Sequence, residues 1–408
     1  MERFPLWVIV GGLESPMVQH HDEALKGAPD VARSHAHFDM AKSTALQQFD
    51  RRLKENFFVI DEKVQEPATR KKLIDWLRSD EFAMQIPAWN EEDTLPPILK
   101  FLADELGSPK KITVMNADST DKTADVSRAV GVHVVTQSDM FKCVKRDALL
   151  DVLSDPNPRG RGMTLYAFWI YRFLLQEKGL PKYTCTCDSD IKNYPEYDAL
   201  PYVAYPIVID GKPFTYTKIG KPGRNNEATF AGRCAMRMVS DTGMHYFNNL
   251  SRDMWMITGE YLVQVEHMKR LVHTTRSFVD TTTAMYFVDL EAAGAGPTAI
   301  VASNRSRIDK KNDDLKEWTI LYSIATNLVG YATLDRRVAD LTLADIRKLN
   351  TQIFPGLNIF PYIPPTAEEP MKSVEIMNDR YIPSIQMMID NGWIDWDQVK
   401  AMKRKYGF

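Results

Sequence analysis

The chain has 408 residues, 44% of them hydrophobic and 26% charged, with a formal net charge of −3. That length and composition allow a globular protein with a full core, and the near balance of charge excludes a global pull toward nucleic acid or anionic lipid. Four cysteines, Cys143, Cys185, Cys187 and Cys234, are too few and too unevenly spaced for a secreted disulfide scaffold, so a reducing, cytoplasmic setting is expected.

From the amino terminus, FPLWVIVGGL (4–13) is short and precedes no convincing cleavage site, and it reads as a core strand rather than a signal peptide. Up to about residue 80 the chain reads as a largely helical extension, with periodic apolar positions in AKSTALQQFDRRLKENF and EPATRKKLIDWLRSDEF. At FAMQIPAWNEEDTLPPILKFLADEL an apolar strand runs into Pro87 and a polar turn. A helix then follows whose first turn is expected to collect Glu91, Glu92 and Asp93 at its positive end. The unit repeats in KKITVMNADSTDKTADVSRAVGVHVV, with strands at Ile112–Met115 and Val132–Val135 around a helix. Alternating strand and helix predict an α/β fold with a parallel sheet. Ligands of such sheets bind beyond the carboxyl ends of the strands, where Asn90 and residues 116–121 would sit.

The loop DPNPRGRG (155–162) leads into LYAFWIYRFLL (165–175), a helix interrupted by Arg172 and far too short to span a membrane. Next comes YTCTCDSDIKN (183–193). If its strand continues, Asp188 and Asp190 project from one face. Closely spaced carboxylates after a strand suit a hard divalent cation, or else form a solvated turn. Cys185 and Cys187 read as core thiols, because no second ligand pair is in view for a soft metal. In PRGRGM, Arg159 and Arg161 stand among glycines that let backbone approach a ligand, as a diphosphate clamp or as a plain surface loop. YTKIGKPGRNNEAT brings Lys218, Lys221 and Arg224 around Gly220 and Gly223, which suits an anionic acceptor or a charged hairpin turn. MWMITGEYLV sets Glu260 among apolar neighbours; buried carboxylates seldom lack a partner, so Glu260 is a site candidate. His245, His267 and His273 show no metal-ligand spacing and read as structural. After about Asp309 the chain becomes helical, then proline-rich in LNIFPYIPPTAEEP (357–370), and closes on a helix near Asp395–Lys405. Hydrolase, ATPase and classical dehydrogenase readings find no G-x-S-x-G, H-E-x-x-H, P-loop or G-x-G-x-x-G anchor.

Taken in order, IPAWNEED, MNADSTDKTADV, RGRGM, CDSD, KPGRNNEAT and ITGEY resemble the serial motifs of GT-A-fold nucleotide-sugar glycosyltransferases over roughly residues 81–310. The nearest resemblance is to glucosyl-3-phosphoglycerate synthases, with mannosyl-3-phosphoglycerate synthases next. It implies a Rossmann-like α/β core at 81–310, its mixed and mainly parallel sheet flanked by helices. A helical extension (1–80) would precede it, and a helical and proline-containing one (311–408) would follow. By the same resemblance, Pro87, Ala88, Asn90, Glu91 and Ser119 line the nucleotide-sugar site. Arg161, where the family has a lysine, touches the donor. Asp188 and Asp190 hold Mg²⁺ or Mn²⁺ on its diphosphate, and Glu260 lies beside the transferred sugar. Gly223, Arg224, Asn225 and Asn226 grip phosphoglycerate, with Lys221 adding charge for the acceptor. The family's third metal ligand is a histidine; IVASNRSRID (300–309) offers Asn304 or Ser303 instead, and Ala117 stands where many members carry aspartate.

The implied reaction transfers a hexose, glucose before mannose, from a UDP or GDP sugar to a small phosphorylated acid such as 3-phosphoglycerate. Retention at the anomeric carbon and a place in compatible-solute synthesis are implied with it. Arg161, Asp190 and Glu260 are its catalytic candidates. A sugar nucleotidyltransferase and a non-catalytic sugar-nucleotide-binding protein are the rivals, and a homodimer packed through Ile353–Pro370 stays open.

Overall fold

The computed structural model describes residues 58–145, 160–176, 179–220, 259–276, 278–303, 305, 307–310, 334, 336–351 and 380–408. Their principal elements, in chain order, are β1 (Phe58–Val59), α1 (Pro67–Leu77), β2 (Phe82–Ala88), α2 (Leu95–Leu106), β3 (Ile112–Asn116), α3 (Thr123–Val130), β4 (His133–Thr136), α4 (Arg161–Ile170) and β5 (Tyr183–Thr186). There follow α5 (Leu200–Val208), β6 (Tyr216–Gly220), β7 (Tyr261–Gln264), β8 (His273–Thr274), α6 (Phe278–Ala292), β9 (Thr298–Ala302), β10 (Tyr381–Ile382) and α7 (Trp396–Tyr406).

Eight strands form one sheet in the order β1-β9-β6-β7-β5-β2-β3-β4. Only β7 runs antiparallel to its neighbours; the other pairings are parallel. The central strands are covered on both faces, so they read as near-continuous apolar runs. Successive residues nevertheless divide between two cores. Tyr261 and Val263 pack with Met163, Phe168 and Met285 on one face, whereas Leu262 packs with Cys185, Ile86 and Ile219 on the other. Cys143, Cys185 and Cys187 are buried free thiols within these cores.

Three expectations are corrected. The acidic run before α2 is not its first turn: the helix starts at Leu95 and has proline at its opening positions. Proline suits that place because its fixed φ is helical and its missing N–H has no partner to lose. Asp188 and Asp190 do not extend β5, which ends at Thr186. The apolar helix after the arginine loop starts at Arg161 and widens into a π-helical turn over Tyr171–Gln176. That turn tucks Arg172, 2% exposed, over the Phe168 and Tyr171 rings. The strand expected at 4–13, the helix in AKSTALQQFDRRLKENF and the proline-rich strap at 357–370 lie outside the described residues.

Segments on both sides of 81–310 join the same body. β1 pairs with β9 at the sheet edge and β10 pairs with β8. The Thr136 amide donates to the Tyr406 hydroxyl of α7 at 3.1 Å.

Candidate active site

The chain lays down β2, β3 and β4 outward in succession and then returns to place β5 on the other side of β2. The crevice beyond the carboxyl ends of β2 and β5 is therefore the topological switch point, where open α/β sheets bind ligands. Asn90 leaves it from β2 and Asp188 from β5.

The β2 and β3 loops are locked to each other. Asn90 adopts a left-handed φ of 55°, a conformation asparagine tolerates better than most residues. Its amide donates to Ser119 Oγ at 3.0 Å, and its side-chain oxygen accepts from the Thr120 amide at 2.9 Å. The Glu91 amide donates to Thr123 Oγ1 at 2.7 Å, and the Ala117 amide to the Ala88 carbonyl at 2.9 Å. Pro87, Ala88, Asn90, Glu91 and Ser119 thus gather on one rim.

The opposite rim holds the aspartates. Residues 307–310 run antiparallel beside 190–192: the Lys192 amide donates to the Ile308 carbonyl and the Lys310 amide to the Asp190 carbonyl, each at 2.8 Å, around an Ile191–Asp309 bridge. Lys310 then crosses the crevice, its Nζ 3.2 Å from Glu91 Oε2 and 3.3 Å from the Asn90 carbonyl. That segment also carries Arg307 under the aspartate pair. The Arg307 side chain is 2% exposed. Its Nη2 lies 2.7 Å from Asp188 and 3.4 Å from Asp190, while Nη1 pairs with Glu260 and Nε with Asp309. Burial alone would lower its pKa, but Glu260, Asp188 and Asp309 hold it well above the ordinary arginine value.

Arg161 closes the other side of Asp188. It pairs with Asp188, reaches Asp280 at 3.0 Å and donates to the Gly259 carbonyl at 3.1 Å. Burial opposes its charge, and Asp188 and Asp280 outweigh that opposition. The expectation that the flanking glycines admit a ligand is corrected. A Cβ on Gly162 would overlap the Thr274 carbonyl oxygen and lie 2.8 Å from the carbonyl carbons of Thr274 and Thr275, and one on Gly160 would lie 2.6 Å from the Thr275 carbonyl oxygen. These glycines let α4 lie against the backbone of Thr274 and Thr275 at the end of β8, which fixes where Arg161 starts. Gly259 is the glycine at the site: a Cβ there would overlap the Asp188 carboxylate and stand 2.6 Å from Arg161 Nη2.

Glu260 is completely buried. One oxygen meets Arg307, and the other accepts from the Tyr197 hydroxyl at 3.4 Å. Lys218, expected in a basic acceptor cluster or a charged turn, is instead buried in β6; burial raises the Asp280 carboxyl to about 6, against the pull of Arg161 and, more weakly, of Lys218. Ser303 is buried and its Oγ accepts from the Arg305 amide at 3.1 Å. Lys221, Gly223, Arg224, Asn225, Asn226 and Asn304 lie outside the described residues.

The donor set suits a hard cation. Asp188 and Asp190 are carboxylates, 17% and 21% exposed. Around them, Asp188, Asp190, Glu260, Asp280 and Asp309 outnumber the guanidiniums of Arg161 and Arg307. Among the described residues no cluster of three His, Cys, Asp or Glu completes a protein-only metal site. Two carboxylates completed by water and phosphate oxygens are the usual arrangement for Mg²⁺ on a nucleotide. Sequence reasoning missed Arg307, Asp309, Lys310, Asp280 and Gly259. The signal for Arg307 and Asp309 was present in NRSRID, a basic and an acidic residue closing an apolar strand, but a search there for histidine passes over it.

No protein-family model matches the chain, and no curated protein matches it. Among solved structures, mannosyl-3-phosphoglycerate synthase from Rubrobacter xylanophilus is similar with a TM-score of 0.51 at 16% identity, over 69% of this chain and 82% of that one. Glucosyl-3-phosphoglycerate synthase from Mycobacterium tuberculosis, in complex with Mn²⁺, UDP and glucosyl-3-phosphoglycerate, is similar with a TM-score of 0.47 at 19% identity, over 64% and 84%. The same enzyme with Mn²⁺, UDP-glucose and phosphoglyceric acid gives 0.47 at 18%, over 64% and 84%. The switch-point crevice of this chain therefore belongs to a GT-A fold, the architecture also seen in mannosyl-3-phosphoglycerate synthase.

Proposed function

We propose that this chain is a glycosyltransferase that moves a hexose from a nucleotide diphosphate sugar to the hydroxyl of a small phosphorylated acid. Glucose is the leading hexose, with mannose second, and 3-phosphoglycerate is the first acceptor to test. The observation that carries this reading is the convergence of Asn90 and Glu91 with Asp188 and Asp190 across the switch-point crevice, tied by Lys310. One rim is built of backbone and small polar groups suited to a nucleoside, the other of charged groups suited to a diphosphate.

In this reading Pro87, Ala88, Asn90, Glu91 and Ser119 hold the nucleoside, and Arg161 meets the diphosphate with its fork of donors. Asp188 and Asp190 would hold Mg²⁺ or Mn²⁺, which when bound neutralises charge on the departing diphosphate. Lys221, Gly223, Arg224, Asn225 and Asn226 serve the acceptor. Glu260, enclosed between Arg307 and Tyr197, acts by holding Arg307 and not by attacking the sugar. A retaining transfer then runs on the leaving-group face: the bond from the anomeric carbon to the phosphate oxygen breaks, the bond to the acceptor oxygen forms, and the diphosphate takes the acceptor's proton.

The test is a matrix of UDP- and GDP-linked glucose and mannose against phosphoglycerate, glycerol phosphate and unphosphorylated glycerate, with and without Mn²⁺ or Mg²⁺. Release of nucleoside diphosphate matched by a glycosylated acceptor supports the proposal. Formation of pyrophosphate favours nucleotidyl transfer, and donor binding without turnover across the matrix favours a non-catalytic protein.

A further inference from the structure

Arg307 poses a problem of charge. Its guanidinium lies against four carboxylates at once, those of Asp188, Asp190, Glu260 and Asp309. Glu260 and Asp309 form its enclosed side, with side chains 0% and 2% exposed, while Asp188 and Asp190 form the side toward solvent, at 17% and 21%. The arginine is thus a fixed floor beneath the aspartate pair and already supplies that pair with a positive partner. Arg161 supplies a second one to Asp188. A bare divalent ion arriving there adds two charges beside two guanidiniums. The same ion arriving on a nucleoside diphosphate brings phosphate oxygens that offset its charge, and the partly exposed Arg161 can donate to them.

We propose that Arg307 makes the aspartate pair selective for a metal–nucleoside diphosphate complex over the free metal ion, so that metal and donor load together. This rests on the glycosyltransferase reading and adds to it the order of assembly and the residue that imposes it. Arg307 is a positioning residue in this role: it orients Asp188 and Asp190 and sets their affinity for the ion. Lysine would not reproduce it, because an ammonium is a point charge on a flexible stem and cannot address four carboxylates with a planar fork.

The test is direct titration of Mn²⁺ by electron paramagnetic resonance, with and without UDP or GDP, on the wild-type chain, Arg307→Gln and Arg307→Lys. The wild-type chain should bind free Mn²⁺ weakly and bind it at least about tenfold more tightly with one of the diphosphates, the scale of one charge-assisted hydrogen bond. Arg307→Gln should bind free Mn²⁺ about tenfold more tightly than wild type and gain less from the diphosphate, with Arg307→Lys between them. Failure of both variants to bind free Mn²⁺ more tightly overturns the proposal. So does wild-type Mn²⁺ affinity indifferent to either diphosphate, a result that needs no variant to fold, and so does a chain that binds no Mn²⁺ at all. A chain that behaves as expected here but transfers no hexose leaves this proposal standing and removes the transfer reading; hexose transfer with unchanged Mn²⁺ affinity in the variants does the reverse.

Discussion

Replacing Gly259 with alanine adds one methyl group at the point where Asp188 and Arg161 meet. No left-handed φ is involved, so the effect is steric. The new Cβ would stand 2.7 Å from Asp188 Cγ and 2.6 Å from Arg161 Nη2, against ordinary contact from 3.4 Å. The Asp188 carboxylate, whose Oδ1 is nearest, must retreat by about 1 Å and the Arg161 guanidinium by about 0.8 Å, which disturbs the ion pair between them. Overpacking of this kind costs about 1–3 kcal/mol, and a charge-assisted hydrogen bond contributes about 1.5–3 kcal/mol. Relieving the overlap is what breaks the bond, so the two overlap and the expected loss is about 2–4 kcal/mol. Scanning calorimetry should show a melting temperature lower by on the order of 5 °C. The transfer assay should also show a lower kcat, because the proposed contact of Arg161 with the diphosphate would be lost. An alanine variant that melts and turns over with the wild type would refute the placement of this ion pair against Gly259.

Asp190→Ala should abolish transfer at ordinary metal concentrations with little change in melting temperature, because Asp190 is partly exposed and lies 3.4 Å from Arg307; full activity would remove it from the site. Glu105, enclosed beside Asp198 and Arg70, has its pKa raised to about 8 by burial first and by Asp198 second, against the pull of Arg70. A carboxyl whose folded pKa is raised stabilises the fold fully below its unfolded value near 4.5, and that contribution is lost as pH climbs through about 8. Denaturant midpoints should therefore fall across that window in the wild type and stay flatter in Glu105→Gln; parallel curves would exclude Glu105 as the source. Asp139 is buried and accepts from Lys142 at 2.8 Å, from Lys405 at 2.5 Å and from the Tyr406 hydroxyl at 2.7 Å. Asp139→Asn should loosen α7 by roughly 1–2 kcal/mol, read as faster amide exchange confined to the last helix; unchanged exchange there would contradict this anchoring.

The two strand–turn–helix units were legible because burial on both faces leaves a run such as FAMQIPA, and a helix buried on one side leaves the spacing of Leu95, Ile98, Leu99 and Leu102. The aspartate pair was legible for the same local reason, two carboxylates directly after an apolar strand. The final helix was found within one residue, because Asp395 caps it with its own side chain and Gly407 ends it in a left-handed turn. Local pattern misplaced the acidic run before α2: the Glu91 and Glu92 amides donate to Thr123 and Asp121, and the Glu91 carboxylate meets Lys310 rather than the dipole of α2.

Periodicity and capping are short-range properties of the residues that show them, so the order of residues was enough to specify an α/β chain with charged loops at the ends of its strands. Which charges meet there depends instead on the path of the folded chain. Arg307 lies 119 residues from Asp188 and 117 from Asp190, and Arg161 lies 119 from Asp280. No spacing rule reaches so far: those contacts exist because β7 and β9 enter the sheet out of chain order and residues 307–310 return alongside 190–192. The same return gives the aspartate pair a guanidinium beneath it, a partner that sequence alone did not supply.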